Sequence, residues 1–396
     1  MTKRWFLVWS IAGCTPSDTP PSAPDFGDEE CYPAEISTPQ GQFFTDISER
    51  SGIQAGNFDP DPQEGTVIND HSRLAFADIN GDGFDDIVMH SLYPNATNGV
   101  PFEHLVFLNN QDGSFTDHTD ASGLRNVQAA FFAFADVDND GDQDLYAGLD
   151  VPNLGSHRSA IYANDGHGRF TEVDDSGVDV ASPTAATAAF ADFDADGAVD
   201  LFVGNGHTSY AMTDHLFWGN GDGTFTQDTD ALASPPAQPT NGTVTCDFDD
   251  DGDMDIFVGS YGVSVRNGHN QLWRNDGGHF TDVAVESGVA ALAAGNPWSA
   301  ASDYGDAIEP DADVTRWIGT NAFGVDCGDI NNDGHLDLLV AAISHPSASN
   351  HSRIWSDPTA VFVNQGDGTF LVPSTNSGIP FNEGDIDAGL IDFDND

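Results

Sequence analysis

The sequence predicts an all-β fold, a β-propeller of four-stranded blades, and three observations carry that prediction. An acidic block recurs along the chain, a glycine-turn block recurs between its copies, and the two alternate at a spacing that fits one blade. The acidic block reads LAFADINGDGFDDIVMH from Leu74, FAFADVDNDGDQDLYAG from Phe132 and AAFADFDADGAVDLFVG from Ala188. It continues as VTCDFDDDGDMDIFVG from Val244 and VDCGDINNDGHLDLLVA from Val325, and LIDFDND from Leu390 begins a sixth copy. The leading aspartates are 58, 56, 55, 82 and 63 residues apart.

The second block reads VFLNNQDGSFTD, IYANDGHGRFTE, LFWGNGDGTFTQ, LWRNDGGHFTD and VFVNQGDGTFLV. Each copy is a strand, an Asn/Asp/Gly turn and a second strand. One repeat therefore supplies a strand on either side of the acidic loop and another on either side of the glycine turn. A half-copy, GQFFTDISERSGI from Gly41, precedes the first acidic block. Its strand, expected at Phe43–Ile47, would complete the last blade and hide the sheet edges. The unfinished sixth copy leads us to expect a longer parent of about seven blades, within the usual range of about four to eight. The expected organisation is a leader over residues 1–14, a Pro-rich disordered tether over 15–35 and the propeller over 36–396.

The acidic loops place side-chain oxygens at positions 1, 3, 5 and 9, with glycine at position 6. Those residues are Asp78, Asn80, Asp82 and Asp86 in the first loop and Asp136, Asp138, Asp140 and Asp144 in the second. The third loop has Asp192, Asp194, Asp196 and Asp200, and the fourth Asp247, Asp249, Asp251 and Asp255. The fifth has Asp329, Asn331, Asp333 and Asp337, and the partial sixth Asp392, Asp394 and Asp396. Hard oxygen donors at alternate positions around a glycine turn suit a Ca2+ ion, with a backbone carbonyl from position 7 completing the shell. That carbonyl belongs to Phe84, Asp142, Ala198, Asp253 or His335. Carboxylates this close repel one another, and a divalent ion relieves the repulsion. Magnesium is the weaker rival, because it keeps more of its water.

An EF-hand opens with the same pattern but needs a glutamate at position 12 and flanking helices. Position 12 here is Met89, Ala147, Val203, Val258 or Val340, and the flanks are β-branched and aromatic at strand length. The loops therefore read as β-hairpin calcium sites. Asp/Gly-rich turns with no ion are the bland alternative, and five complete copies at one ligand spacing argue against it.

On these motifs the chain resembles the FG-GAP/VCBS repeats of integrin α-subunit propellers and of many secreted bacterial proteins. The run from SGI or SGL through FADxDxDGxxDL to LYxNxGDGxF is most similar to the cartilage acidic protein relatives. The resemblance covers residues 41–396 and implies calcium loops between the first and second strands of each blade. Asn80 and Asn331 depart from the usual aspartate at position 3, and the C-terminal domain that such relatives often carry is not seen.

Acidic residues outnumber Lys and Arg by 65 to 11, a net charge of −54, which excludes nucleic acid and anionic lipid headgroups as partners. Near the start, Lys3 and Arg4 precede an apolar run that ends in Ile11-Ala12-Gly13-Cys14. This resembles a bacterial lipobox, with Cys14 the expected site of lipidation. Membrane contact is then expected only through that N-terminal anchor, with the protein facing the periplasm or the cell surface. A secreted protein with an ordinary signal is the alternative. Cys246 and Cys327 read as two buried small side chains, with a bridge between them the alternative.

The calcium loops and glycine turns should share one face. The opposite face, built from the longer and more varied connections, is where a protein or glycan ligand is expected. Trp298, Tyr304, Arg316 and Trp317, in the long insertion around 290–322, are candidate contacts there, or else pack on their own blade. His104, His157, His215 and His269, and with them His90, His207 and His345, read as strand-end hydrogen-bonders, with transition-metal or sugar binding the alternative. No GxSxG elbow, Cys–His signature or HExxH occurs. The expectation is a binding or adhesion module rather than an enzyme. The alternative is a calcium-dependent polysaccharide lyase or hydrolase on the same scaffold.

Overall fold

A computed structural model describes residues 6–7, 46–53, 74–90, 104–127, 129–149, 158–179, 185–206, 213–232, 238–260, 269–290, 322–342, 359–371 and 388–391. A short strand β1 (Phe6–Leu7) opens the element order, and a single helical turn α1 (Ser48–Ser51) follows it. Blade one contains β2 (Leu74–Ala77), β3 (Asp86–His90), β4 (His104–Asn109) and β5 (Phe115–Asp117), followed by α2 (Thr119–Ser122). Blade two contains β6 (Phe131–Ala135), β7 (Asp144–Gly148), β8 (Ala160–Asn164) and β9 (Phe170–Glu172). Blade three contains β10 (Ala185–Ala191), β11 (Asp200–Asn205), β12 (His215–Gly219) and β13 (Phe225–Asp228).

Blade four contains β14 (Thr240–Cys246), β15 (Asp255–Ser260), β16 (Gln271–Asn275) and β17 (Phe280–Asp282), followed by α3 (Ala284–Ser287). Blade five contains β18 (Ala322–Gly328), β19 (Asp337–Ala342), β20 (Ala360–Asn364) and β21 (Phe370–Leu371). Each blade is an antiparallel sheet whose strands pair in chain order. The expected β-propeller blades are thus present, five of them among the described residues. The strand β22 (Leu390–Ile391), where a sixth blade was expected to begin, pairs with β1.

One register recurs in every blade. The residue before position 1 pairs with the aspartate at position 9: Ala77 with Asp86, Ala135 with Asp144, Ala191 with Asp200, Cys246 with Asp255 and Gly328 with Asp337. The acidic loop is therefore the connection of the first hairpin. First strands of successive blades lie side by side, β2 with β6, β6 with β10, β10 with β14 and β14 with β18. The second strands of blades two to five are buried along their whole length, between the first and third strands of their own blade and against neighbouring sheets. Their near-continuous apolar runs, such as DLYAG and DIFVG, follow from that double burial.

The core consists of layers between blades. Val88, Val106, Leu145 and Phe170 fill the first seam, and Tyr146, Ile161, Leu201 and Phe225 the second. Phe202, Leu216, Ile256 and Trp273 fill the third, and Phe257, Leu272, Leu338 and Phe362 the fourth. Burying a Val, Leu or Phe side chain contributes about 1.5–3 kcal/mol, so each seam is a substantial interface.

After its fourth strand each of several blades sends a short Ser-Gly-apolar tail onto the following blade. Gly123, in the tail of blade one, would bring a Cβ to 2.7 Å from the Phe170 carbonyl oxygen of blade two. Gly177 meets Phe225 of blade three, where a Cβ would overlap the carbonyl oxygen, and Gly288 meets Phe370 of blade five. Between blades three and four the same role falls to Ala231, whose carbonyl accepts the Phe280 N–H. Gly52 meets Phe115 of blade one in the same way. The half-copy before the first acidic block thus docks as a blade tail. The expected strand at Phe43–Ile47 lies outside the described residues as far as residue 45, and Ile47 precedes the helical turn α1 instead of continuing a strand.

Cys246 of β14 and Cys327 of β18 form a disulfide, with Cα atoms 6.8 Å apart, and this corrects the expectation of two unpaired small side chains. Their first strands are neighbours in space, which the sequence separation of 81 conceals.

Candidate metal centres

All five acidic loops fold by the same local rules. The carboxylate at position 1 accepts the N–H groups of positions 5 and 6. Asp78 takes Asp82 at 3.0 Å and Gly83 at 2.7 Å, and Asp136, Asp192, Asp247 and Asp329 repeat the arrangement. The carboxylate at position 5 accepts the N–H of position 7, from Asp82 to Phe84 and from Asp333 to His335. Positions 4 and 6 both lie in the left-handed region. Position 6 is always glycine, with φ between 86° and 96°. Position 4 is Gly81, Asn139, Ala195, Asp250 or Asn332, at φ between 58° and 71°. The sequence signal reveals position 6 and hides position 4, where residue type varies.

Position 9 differs from the rest. Asp86, Asp144, Asp200, Asp255 and Asp337 are buried at the start of second strands. One carboxylate oxygen of each accepts the N–H of position 2, as Val137 donates to Asp144 at 3.0 Å. The other accepts the N–H of the last residue of the third strand, as Asn164 donates to Asp144 at 2.8 Å. Burial pushes Asp144, Asp200 and Asp337 up to about 6 and Asp255 up to about 7, and it raises Asp86 as well. The two N–H donors oppose that rise, and neighbouring aspartates add to it. Desolvation also raises Asp138, Asp194 and Asp249 at position 3.

A cation answers this electrostatic need, and the geometry fits one. Ligand oxygens of Asp136, Asp138 and Asp144 lie within 4.8 Å of one another, as do those of Asp192, Asp194 and Asp200, and of Asp247, Asp249 and Asp251. Opposite oxygens of a calcium shell are ~5 Å apart, twice the metal–oxygen distance. These groups could therefore hold a metal ion. In loops one and five Asn80 and Asn331 offer a neutral amide oxygen at position 3, leaving three carboxylates each. Asp392, Asp394 and Asp396 lie outside the described residues, as does Cys14.

Adjacent loops interlock. Asp250 of loop four pairs with His335 of loop five, and the carboxylate raises the imidazole above its ordinary value. Arg274 approaches Asp276, which raises it, and also senses Asp249 and Asp255 of its own blade's loop.

The opposite ends of the strands carry a different set of groups. Asp214 precedes β12 and is fully desolvated, which pushes it up to about 7. Its carboxyl accepts the Asn205 N–H at 2.8 Å and meets the Thr240 hydroxyl at 3.1 and 3.0 Å. Gln238 continues the polar seam to Ser260 and Gln271. Sequence reasoning missed Asp214, because the equivalent place holds Ser159, Asn270 or Thr359 in other blades, where the side chain accepts the corresponding N–H. His104 contacts the Val127 carbonyl at 2.9 Å, His215 meets Gln227, and His269 pairs with Asp282. His157, His207, His345 and the aromatic candidates Trp298, Tyr304 and Trp317, with Arg316, lie outside the described residues, as does the His90 side chain. Among the described residues no helix is long and apolar enough to cross a membrane.

A family model for FG-GAP-like repeats matches residues 104–147 and 192–258. The chain is 27% identical over 209 residues to cartilage acidic protein 1 of Mus musculus, covering 52% of this chain and 27% of that protein. The human protein of the same name is 28% identical over 209 residues, with 52% and 26% covered. The chain thus carries FG-GAP-like repeats and spans about a quarter of the length of the curated relatives it matches. Among solved structures it is similar to a lectin of Agrocybe aegerita that recognises non-reducing terminal N-acetylglucosamine, at TM-score 0.36 and 17% identity, with 78% of this chain and 81% of that one covered. It is similar also to a biofilm matrix protein of V. cholerae, at TM-score 0.38 and 16% identity, with 80% and 42% covered. A rhamnogalacturonan lyase of Bacillus licheniformis gives TM-score 0.39 and 14% identity, with 77% and 51% covered.

Proposed function

We propose that this chain is an extracytoplasmic calcium-binding propeller that serves as a binding or adhesion module for a protein or glycan ligand. The observation that carries the reading is the convergence of carboxylate oxygens within 4.8 Å in acidic loops two, three and four. Calcium is the ion this donor set favours, because hard oxygens on a flexible loop suit a large hard cation. Ions at these loops hold the first hairpin of each blade closed, and the blades then present their other loops as a rigid platform. The buried bonds of Asp214 and Gln238 at the opposite strand ends hold that second face in shape rather than meet a ligand. Cys14 carries the lipid that keeps the module at the membrane.

Metal analysis of the purified chain, followed by protein and glycan arrays with calcium or with chelator, tests the reading. About one calcium per complete loop and ligand capture that chelator abolishes are expected. Material without stoichiometric calcium, or turnover of a polysaccharide on the array, overturns it. Membrane fractionation of the wild type, lost in Cys14→Ser, is the expected outcome for the anchor, and a soluble wild type refutes it.

A further inference from the structure

In blades two, four and five the last residue of the third strand connects one acidic loop to the loop before it. Asn164, Asn275 and Asn364 are buried there. Each donates its backbone N–H to the position-9 carboxylate of its own loop, at 2.8 Å to Asp144, 2.7 Å to Asp255 and 2.9 Å to Asp337. Each also donates its side-chain Nδ2 across the seam to the position-2 carbonyl of the preceding loop. Those acceptors are Ile79 at 2.9 Å, Phe193 at 2.7 Å and Phe248 at 2.8 Å.

The same three acceptor residues use their own N–H groups on the position-9 carboxylates of that preceding loop. Ile79 donates to Asp86 at 3.1 Å, Phe193 to Asp200 at 2.8 Å and Phe248 to Asp255 at 2.9 Å. An unbroken hydrogen-bonded path therefore joins one buried carboxylate to the next: Asp86 to Asp144, and Asp200 to Asp255 to Asp337. The amides have no slack. Their second donor goes to Gln143, Met254 or Leu336, and their oxygen accepts from Gly168, Gly278 or Gly366.

Blade three breaks the path. Gly219 occupies the equivalent place and keeps the backbone bond to Asp200 at 2.8 Å, but it has no side chain to cross the seam. A Cβ there would overlap the Val199 carbonyl oxygen, so the site admits no asparagine. The Val137 carbonyl accepts the Gly223 N–H instead, at 3.1 Å, and that bond reaches no position-9 carboxylate.

We propose that Asn164, Asn275 and Asn364 are positioning residues that couple neighbouring cation sites, so that loops one and two form one cooperative group and loops three to five another, separated at Gly219. An ion that draws in a position-9 carboxylate shifts the peptide at position 2, and the buried amide passes that shift to the next carboxylate. The inference rests on the calcium reading of the loops.

Hydrogen–deuterium exchange of the full chain, read loop by loop across a calcium titration, tests it. Asp196→Ala removes an exposed ligand from loop three and should raise the calcium midpoint of loop four at least about fivefold while loop two keeps its own. Asp82→Ala should do the same to loop two and spare loops three to five. Asn275→Ala should end the transmission from loop three to loop four. The two ligand variants, which alter only exposed side chains, decide the matter even if the buried substitution does not fold. Midpoints that move equally on both sides of Gly219, or that never move together, overturn the coupling while leaving calcium binding intact. Loops whose exchange ignores calcium altogether overturn the calcium reading, and the coupling with it.

Discussion

Replacing Asp214 with Asn should make the protein more stable at neutral and alkaline pH, and the difference should vanish in acid. The native carboxyl titrates near 7 because it is fully desolvated, against 3.8 for an ordinary aspartate. Between those values the unfolded chain has released a proton that the folded chain retains, so folding takes up a proton and native stability falls as pH rises. Above about 7 both states are ionised and the penalty is constant; below about 4 both are protonated and it disappears. At 1.36 kcal/mol per pH unit the interval amounts to at most roughly 4 kcal/mol. An amide at this place keeps an oxygen for the Asn205 N–H and offers Nδ2 to the Thr240 hydroxyl, so the bonds to these partners survive. Urea unfolding of both proteins at pH 4.5 to 8.5, in saturating calcium, measures the difference. Every other ionisable group is common to the two proteins, so the comparison isolates residue 214. A stability difference of one size at every pH, or a wild type that gains on Asp214→Asn as pH rises, refutes the reasoning.

Calcium at about 100 times its dissociation constant adds about 2.7 kcal/mol per site, so five sites should raise the melting temperature by on the order of tens of degrees. A calorimetric scan in chelator that matches the scan in calcium contradicts this. Reducing Cys246–Cys327 releases a closure of 81 residues, and the urea midpoint should fall by an amount equivalent to about 4 kcal/mol. An unmoved midpoint excludes a stabilising bridge. Gly177 and Gly197 both hold left-handed backbone, at φ 86° and 91°, but only a Cβ on Gly177 meets another atom within 4 Å, the Phe225 carbonyl. Ala at Gly197 should cost about 1–2 kcal/mol, and Ala at Gly177 about 1–3 kcal/mol more. Equal losses on chemical denaturation argue against the close tail contact.

The blades and their loops were legible in the sequence because ligand spacing and strand alternation repeat with the fold. A residue such as Asp144 is read through its equivalents in four other copies. What repeats only in part was harder to read. The asparagine at the end of the third strand looks like a turn residue in Asn164, and its place opposite Ile79 depends on how two blades pack. The Cys246–Cys327 bridge depends on the same packing, since only adjacent first strands bring the two Cα atoms to 6.8 Å. Asp214 was invisible because desolvation is a property of surroundings and not of residue type. At Ile47 the half-copy turns into α1, since its Ser-Gly-apolar end serves the docking tail and ends the strand pattern.

Those tails make the unit of inheritance differ from the unit of shape. A cut that excises one sheet cleanly leaves Gly123 without Phe170, or Gly177 without Phe225, because every tail is seated on the sheet that comes next. A workable graft would begin at a tail and end just before the following one, taking each strand set together with its predecessor's handle. Chimeras spliced at that staggered boundary should tolerate shuffling that flush-cut ones do not.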